Sequence, residues 1–280
     1  MLSPTRIALN RIIYPSLDLQ RFMALAAELG LSKVELRNDL PDKRITDGME
    51  PRQVRELSHQ FGTSIVSINA LQKFNLLSHL PAAMEELKDL LALSSAIHCS
   101  AIVLCPLNDK DDRREPQQRF EETVRCLQAY QPLFADAGIM GYVEPLGFAE
   151  SSLASLITAQ AAIRESQASC YRLVYDTFHH AIGPDSPEQL GAELDFSMVG
   201  LIHASGVEAD LPREQYRDKH RVLITEADRF QNLEQISFML RRSFSGPVSL
   251  EPFAVEIQNL SRARFIHVLS RCLDLLYERL

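Results

Sequence analysis

RLVYDTFHH, residues 172–180, is an apolar run that ends in an acid and two histidines. Leu173, Val174 and Tyr175 have the composition of a strand buried on both faces, and such a strand has no need of an ionisable side chain. Asp176 therefore reads as a strand end that delivers chemistry to one edge of a sheet. The same construction recurs at three other places. GYVEP (141–145) carries Glu144, LIHA (201–204) carries His203, and SLEPF (249–253) carries Glu251. A lone glutamate at a strand end is ordinarily solvated or ion-paired, and a lone histidine in an apolar strand is ordinarily a satisfied core residue. Four consecutive strands ending in potential ligands at equivalent positions point instead to one shared centre.

Outward from that stretch, short β-rich runs alternate with amphipathic segments along the chain. Strands are expected at 7–14, 33–39, 64–71, 101–107, 139–147, 172–179, 199–206 and 247–253. Helices are expected at 17–29 before Gly30, at 51–61 between Pro51 and Gly62, and at 81–98 and 116–137. Ser152 is expected to cap a helix at 153–165, and Ser186-Pro187-Glu188 to open a short one. Two more are expected near 231–244 and 259–279. This alternation predicts an α/β protein with the (β/α)8 TIM barrel fold, as a single domain over residues 1–280. A doubly wound sheet is the competing architecture, but no Gly-rich phosphate-binding turn follows any of the strands. The longest irregular stretch, 206–230, reads as an active-site loop.

In a barrel, strand ends of one polarity share a mouth, so Glu144, Asp176, His203 and Glu251 should converge. Three inward carboxylates beside one imidazole repel one another and are costly to bury unless a cation joins them. The oxygen-rich set with one nitrogen suits one divalent metal ion, with Mn, Mg, Co and Zn all compatible.

Composition narrows the partners. The chain has 280 residues, 46% hydrophobic and 24% charged, with a mean hydropathy of −0.10 and no apolar run of membrane-spanning length. MLSPTRIALNRIIYP, at the amino terminus, lacks the apolar core and cleavage site of a signal peptide, which predicts a cytoplasmic location. A net charge of −8 disfavours nucleic acid as a ligand, so the expected partner is a small molecule, with no nucleic acid and no membrane. Cys99, Cys105, Cys126, Cys170 and Cys272 are odd in number, scattered and without a C-x-x-C pair. They read as buried, unpaired thiols rather than disulfides or a thiolate zinc site.

Three segments carry a family resemblance: SINALQKFN (67–75), LVYDTFHHAIG (173–183) and VSLEPF (248–253). With the four strand ends, they make the sequence similar to the xylose isomerase-like TIM barrel superfamily, which includes sugar isomerases, ketose 3-epimerases and endonuclease IV-type nucleases. Within it the chain most resembles the inosose isomerase (2-keto-myo-inositol isomerase) family, through nearly its whole length and in order. The D-x-x-H and V-x-x-E patterns are shared across the superfamily, whereas N-A-L-x-x-F-N (69–75) is more specific to that branch.

The resemblance implies that Glu144, Asp176, His203 and Glu251 are metal ligands, that Glu144 and Glu251 double as the catalytic base and acid, and that His179 faces substrate. It implies a metal-dependent isomerase of inosose or a related ketose, belonging to inositol catabolism. In such an enzyme a proton moves between neighbouring carbons through a metal-stabilised enediolate. Arg221, in DKHRV, resembles an arginine that family members direct at substrate oxygens; a solvated loop arginine is the alternative. Asn69 is expected either to bind a substrate hydroxyl or to satisfy backbone groups. Glu35 and Arg37, two apart on the second strand, share a face and read as a plain structural or solvated ion pair, with an ion pair lining the pocket as the alternative. His180 is expected on the opposite side of its strand from His179. His59, His79, His98 and His267 are expected to be structural or exposed.

Other activities compete for the same site. Inosose dehydratase begins with the same proton abstraction and then loses a β-hydroxyl, and ketose 3-epimerase returns the proton to the opposite face. An AP-endonuclease-like nuclease shares these residues and the D-x-H shape of Asp218-Lys219-His220. Its three metals draw histidines from strands three and four, where this chain has Asn69-Ala70 and Cys105-Pro106-Leu107. A non-catalytic polyol-binding barrel would be favoured by loss of Glu144 or Glu251, and both are present. RVLITEAD (221–228) lacks the Gly-rich stretch that relatives carry after the arginine, so the pocket rim is expected to differ. A homo-oligomer is compatible with the resemblance, without an identified interface.

Overall fold

The computed structural model describes residues 2–40 and 44–280. Its strands are β1 (Ile7–Asn10), β2 (Lys33–Arg37), β3 (Ser64–Gln72), β4 (Ala101–Cys105), β5 (Met140–Val143), β6 (Tyr171–Asp176), β7 (Val199–Ala204) and β8 (Val248–Leu250). All pair in parallel and in sequence order, and β8 returns to β1 through Ile7↔Val248, Ala8↔Ser249 and Leu9↔Leu250, closing the barrel. Closure satisfies the edge hydrogen bonds that an open sheet would leave unpaired.

The helices are α1 (Leu19–Glu28), α2 (Pro51–Phe61), α3 (Leu80–Ile97), α4 (Pro116–Ala137), α5 (Leu156–Ser166), α6 (Thr177–Ile182), α7 (Pro187–Glu193), α8 (Asn232–Arg241), α9 (Val255–Gln258) and α10 (Arg262–Arg279). Their ends follow local chemistry. Asp18 caps α1 by accepting the Arg21 N–H at 2.7 Å. Glu50 and Gln53 form a capping box around Pro51, and α2 stops where Gly62 takes a left-handed conformation. The cap of α5 is Ser155, not Ser152: the Ser155 hydroxyl accepts the Thr158 N–H, while Ser152 is turned toward Asn75. None of the helices among the described residues is long and apolar enough to cross a membrane.

Two-residue periodicity divides each strand between two environments. Val34 and Leu36, Ile102 and Leu104, Leu173 and Tyr175, and Ile202 and Ala204 join the main core between the barrel and its helices. The alternate residues Val103, Cys105, Val174 and Leu201 form a second, smaller cluster with Ala70, packed on Tyr142. On that inward parity the next residues toward the carboxyl ends are Asp176 of β6 and His203 of β7, which lie side by side in register. The interior therefore changes from apolar to ionic within one step along the strands.

The sixth strand is shorter than the sequence suggests. It ends at Asp176, and residues 177–182 are helical because the Asp176 carboxylate accepts the His179 N–H at 2.9 Å, starting α6. His179 and His180 are thus neighbours on a helix rather than opposite faces of a strand, and their separation comes from the helical turn. The fifth strand likewise stops at Val143, and Glu144 follows it with its N–H bonded to the Leu104 carbonyl. The 206–230 connection is irregular, with two 3-10 turns and an antiparallel bridge from Gly206 to Val222. All five cysteines are free; four are buried and Cys170 is partly exposed.

Candidate metal centre at the barrel mouth

Glu144, Asp176, His203 and Glu251 come together at the carboxyl-terminal mouth, each offering a ligand atom within 4.8 Å of the others. All four are buried. Backbone pairing explains the convergence: Asp176 ends β6, His203 lies in β7, and the Glu251 N–H bonds to the Ala204 carbonyl at 2.9 Å, one residue beyond β8. The imidazole of His203 is fully enclosed, with Nδ1 2.8 Å from Glu144 Oε1 and 3.3 Å from Glu251 Oε2. Its Nε2 points away from these three acids toward Glu35 Oε2, at 3.2 Å.

Arg221 is not a solvated loop residue. It is 1% exposed, and its Nη2 donates to Asp176 Oδ2 at 2.6 Å and to Glu251 Oε2 at 2.7 Å. Its Nε donates to the Ser205 hydroxyl at 3.0 Å, and the guanidinium lies 4.7 Å from the Phe253 ring and 5.2 Å from that of Phe178. The Arg221 carbonyl accepts the Phe253 and Ala254 N–H groups, so the long loop is tied to the chain after β8.

Glu35 and Arg37 do not pair with one another. Arg37 donates to Glu251 Oε1 at 2.6 Å and forms a two-pronged contact with Asp39, while Glu35 accepts from Asn10, Ser67 and Asn69 and meets His203. Both are buried, which removes the solvated reading. The signal was present in KVELR: two charged residues of inward parity in a strand covered on both faces. Spacing along the chain does not show their partners, among which His203 and Glu251 come from β7 and the end of β8. The Asn69 amide nitrogen donates to Glu35 Oε2 at 3.0 Å and approaches the Ser67 hydroxyl at 3.3 Å, so its side chain is engaged with the Glu35 carboxylate rather than with backbone groups. The sequence carries no signal that places Cys105 at the site, where its thiol donates to Glu144 Oε2 at 3.5 Å.

His179 stands beside the cluster, its ring edge-on to Phe148 at 5.0 Å and to Phe178 at 5.4 Å. The His179 Nδ1 is buried without a protein partner. Gly147 lets that helix approach, because a Cβ there would fall 2.0 Å from the His179 carbonyl oxygen. Asp218-Lys219-His220 lies apart from the cluster: Asp218 pairs with Arg221 at 3.3 Å, and His220 Nδ1 accepts the Arg217 N–H.

The charges fit a divalent cation. Buried carboxylates at Glu35, Glu144, Asp176 and Glu251 face buried guanidiniums at Arg37 and Arg221, which leaves two negative charges uncompensated when His203 is neutral. Burial pushes the Glu251 carboxyl up to about 7, against the opposing pull of His203 and Arg221. His203 moves well above its ordinary range: burial opposes its charge, but Glu251, Glu35 and Glu144 together prevail. Three hard oxygens and one imidazole nitrogen, gathered this tightly and already attracting cations, could hold a metal ion.

Comparison with known proteins agrees with the architecture. The family model described as xylose isomerase-like TIM barrel matches residues 23–267. A xylose isomerase domain containing protein from Salmonella typhimurium LT2 shares 35% identity and superposes with a TM-score of 0.92, covering 99% of both chains. The IolI protein with a binding zinc atom shares 18% identity, with a TM-score of 0.88 and 99% of both chains covered. The D-psicose 3-epimerase of Clostridium cellulolyticum H10, solved with D-tagatose, shares 16% identity with a TM-score of 0.76, covering 98% of this chain and 99% of that one. No curated protein matches the chain significantly.

Proposed function

Because the chain belongs to the xylose isomerase-like TIM barrel family, we propose that it is a divalent-metal-dependent isomerase of a cyclic polyol ketone, inosose, or of a related ketose. The observation that carries this reading is the buried Glu144, Asp176, His203 and Glu251 cluster at the mouth, which we assign as the ligand set. Zinc is the first ion to test, since the IolI protein carries it. A divalent ion held there supplies Lewis-acid polarisation of a ketone and its neighbouring hydroxyl.

The chain's own groups then divide the work. Glu144 and Glu251 approach from β5 and β8, on different sides of the mouth, and serve as the base that takes a proton from carbon and the acid that returns it. Arg37 and Asn10 hold Glu251 Oε1 at 2.6 and 3.0 Å, fixing that carboxylate's orientation. Arg221 directs its guanidinium at substrate oxygens, where developing negative charge is stabilised. Asn69, whose amide nitrogen is held by Glu35 and Ser67, turns its oxygen to a substrate hydroxyl. His179 offers a polar atom in an aromatic wall, suited to orienting a ring hydroxyl. On this reading the expected setting is inositol catabolism.

His179→Ala should lower turnover by about 10²-fold, in the range lost with one positioned proton-transfer or hydrogen-bonding group, while the metal stays bound. Steady-state rates and metal analysis of the same sample check this. Metal loss would make the histidine a ligand. The reaction itself is tested by proton NMR of 2-keto-myo-inositol incubated with zinc-loaded protein in D₂O and quenched with chelator. A rearranged inosose carrying solvent deuterium, absent without metal, is the expected product. A dehydrated diketone would replace the isomerase with a lyase, and an unchanged inosose beside an epimerised ketose would replace it with a 3-epimerase.

A further inference from the structure

We propose that Glu35 is the positioning residue of this centre: it holds the His203 proton on Nε2, so that Nδ1 is the nitrogen left to offer its lone pair to an ion shared with the other three ligand groups. The inference rests on the metal-binding half of the function proposed above and is independent of the reaction.

Geometry and donor counting carry it. A neutral imidazole has one N–H and one acceptor nitrogen, and which is which depends on what each nitrogen faces. His203 Nδ1 faces Glu144 Oε1 at 2.8 Å and Glu251 Oε2 at 3.3 Å, so this nitrogen is the one turned toward the other ligand groups. Its Nε2 meets Glu35 Oε2 at 3.2 Å, on β2, three strands around the barrel from β7. An ionised carboxylate only accepts, so Nε2 must donate to Glu35. While the ring is charged Nδ1 donates to Glu144, but Nδ1 faces the ligand groups and so is the nitrogen whose proton an ion would displace, leaving the remaining proton on Nε2.

The surroundings of Glu35 keep it an acceptor. Its side chain is wholly enclosed. Asn10 donates to Oε1 at 3.2 Å, Asn69 donates to Oε2 at 3.0 Å, and the Ser67 hydroxyl donates to Oε2 as well. All three partners offer protons from β1 and β3, and together with the imidazole they favour a carboxylate over any group carrying its own N–H. A histidine ligand oriented through its second nitrogen by a carboxylate binds metal more tightly, because ring orientation and tautomer are set before the ion arrives.

Glu35→Gln is the discriminating variant, since it preserves shape. The amide oxygen stays at the Oε2 position, where Asn69, Ser67 and His203 Nε2 all donate, and the NH₂ faces the Asn10 amide, so the anionic acceptor of the ring proton is replaced by a weaker neutral one. The full chain, stripped with chelator, should bind Zn²⁺ about 10–100-fold more weakly in this variant, as read by competition with a chromophoric chelator. Glu35→Asp, which keeps an acceptor-only group, should recover part of that loss. A measurement on wild-type protein settles the tautomer without any substitution. In the zinc-loaded, ¹⁵N-histidine-labelled chain, the His203 proton should reside on Nε2 and exchange slowly. A proton on Nδ1 overturns the proposal, as does unchanged Zn²⁺ affinity in folded Glu35→Gln. Wild-type protein that binds no Zn²⁺ would instead sink the metal reading itself, a different result from a variant that binds as well as wild type.

Discussion

Glu251→Gln is expected to lower turnover by about 10²–10⁴-fold, the range a positioned acid–base group contributes. It should also weaken metal binding, because a neutral amide replaces an anionic ligand. The reason for a large effect lies in how many partners share this carboxylate. Arg37 and Asn10 donate to Oε1, and Arg221 donates to Oε2. The amide keeps one acceptor oxygen and must turn an N–H toward one of these donors. That mismatch costs about 1–3 kcal/mol, which lowers the melting temperature but leaves the barrel folded. Rates at saturating metal, chelator competition and circular dichroism on one preparation separate the three effects. Full activity would remove Glu251 from the site, and loss of the folded signal would make its role structural.

Arg221→Met should destabilise the protein in chelator by about 3–5 kcal/mol, the usual consequence of removing one partner from a buried ion pair. Asp176 and Glu251 are 3% and 2% exposed, and the Arg221 guanidinium bridges them at 2.6 and 2.7 Å, the compensating charge they share. Added Zn²⁺ should return most of this stability, since a divalent ion restores the attraction between the same two carboxylates. The variant's stability should therefore rise more steeply with Zn²⁺ than that of wild type, while turnover stays low for want of the guanidinium. Denaturant melts with chelator and with Zn²⁺ check both statements. Equal stability of variant and wild type in chelator would mean that the carboxylates do not depend on Arg221.

The barrel was legible because its strands are covered on both faces and its helices on one. Continuous apolar runs and 3.6-residue stripes are local consequences of that arrangement. Element ends were less legible. VYDTFHH has one apolar pattern from Val174 to Phe178, yet it changes from strand to helix at Asp176, whose side chain caps the backbone that follows. Ser152 and Ser155 both precede an apolar segment, and only the fold shows that Ser152 is engaged with Asn75 on the loop after β3.

The site divides along the same line. By itself the sequence determined the residue types at the ends of strands five to eight, and strand polarity in a parallel barrel makes those ends meet. It therefore determined the Glu144, Asp176, His203 and Glu251 grouping. Only the tertiary structure decided who partners whom: Arg221 with Asp176 and Glu251, Arg37 with Glu251, and Glu35 with His203. Sequence spacing gave no reason to join residues 35 and 203. The physical reason is barrel closure, which brings β8 back beside β1 and so places β2 and β7 around one enclosed interior, where buried charges must find partners wherever the chain supplies them.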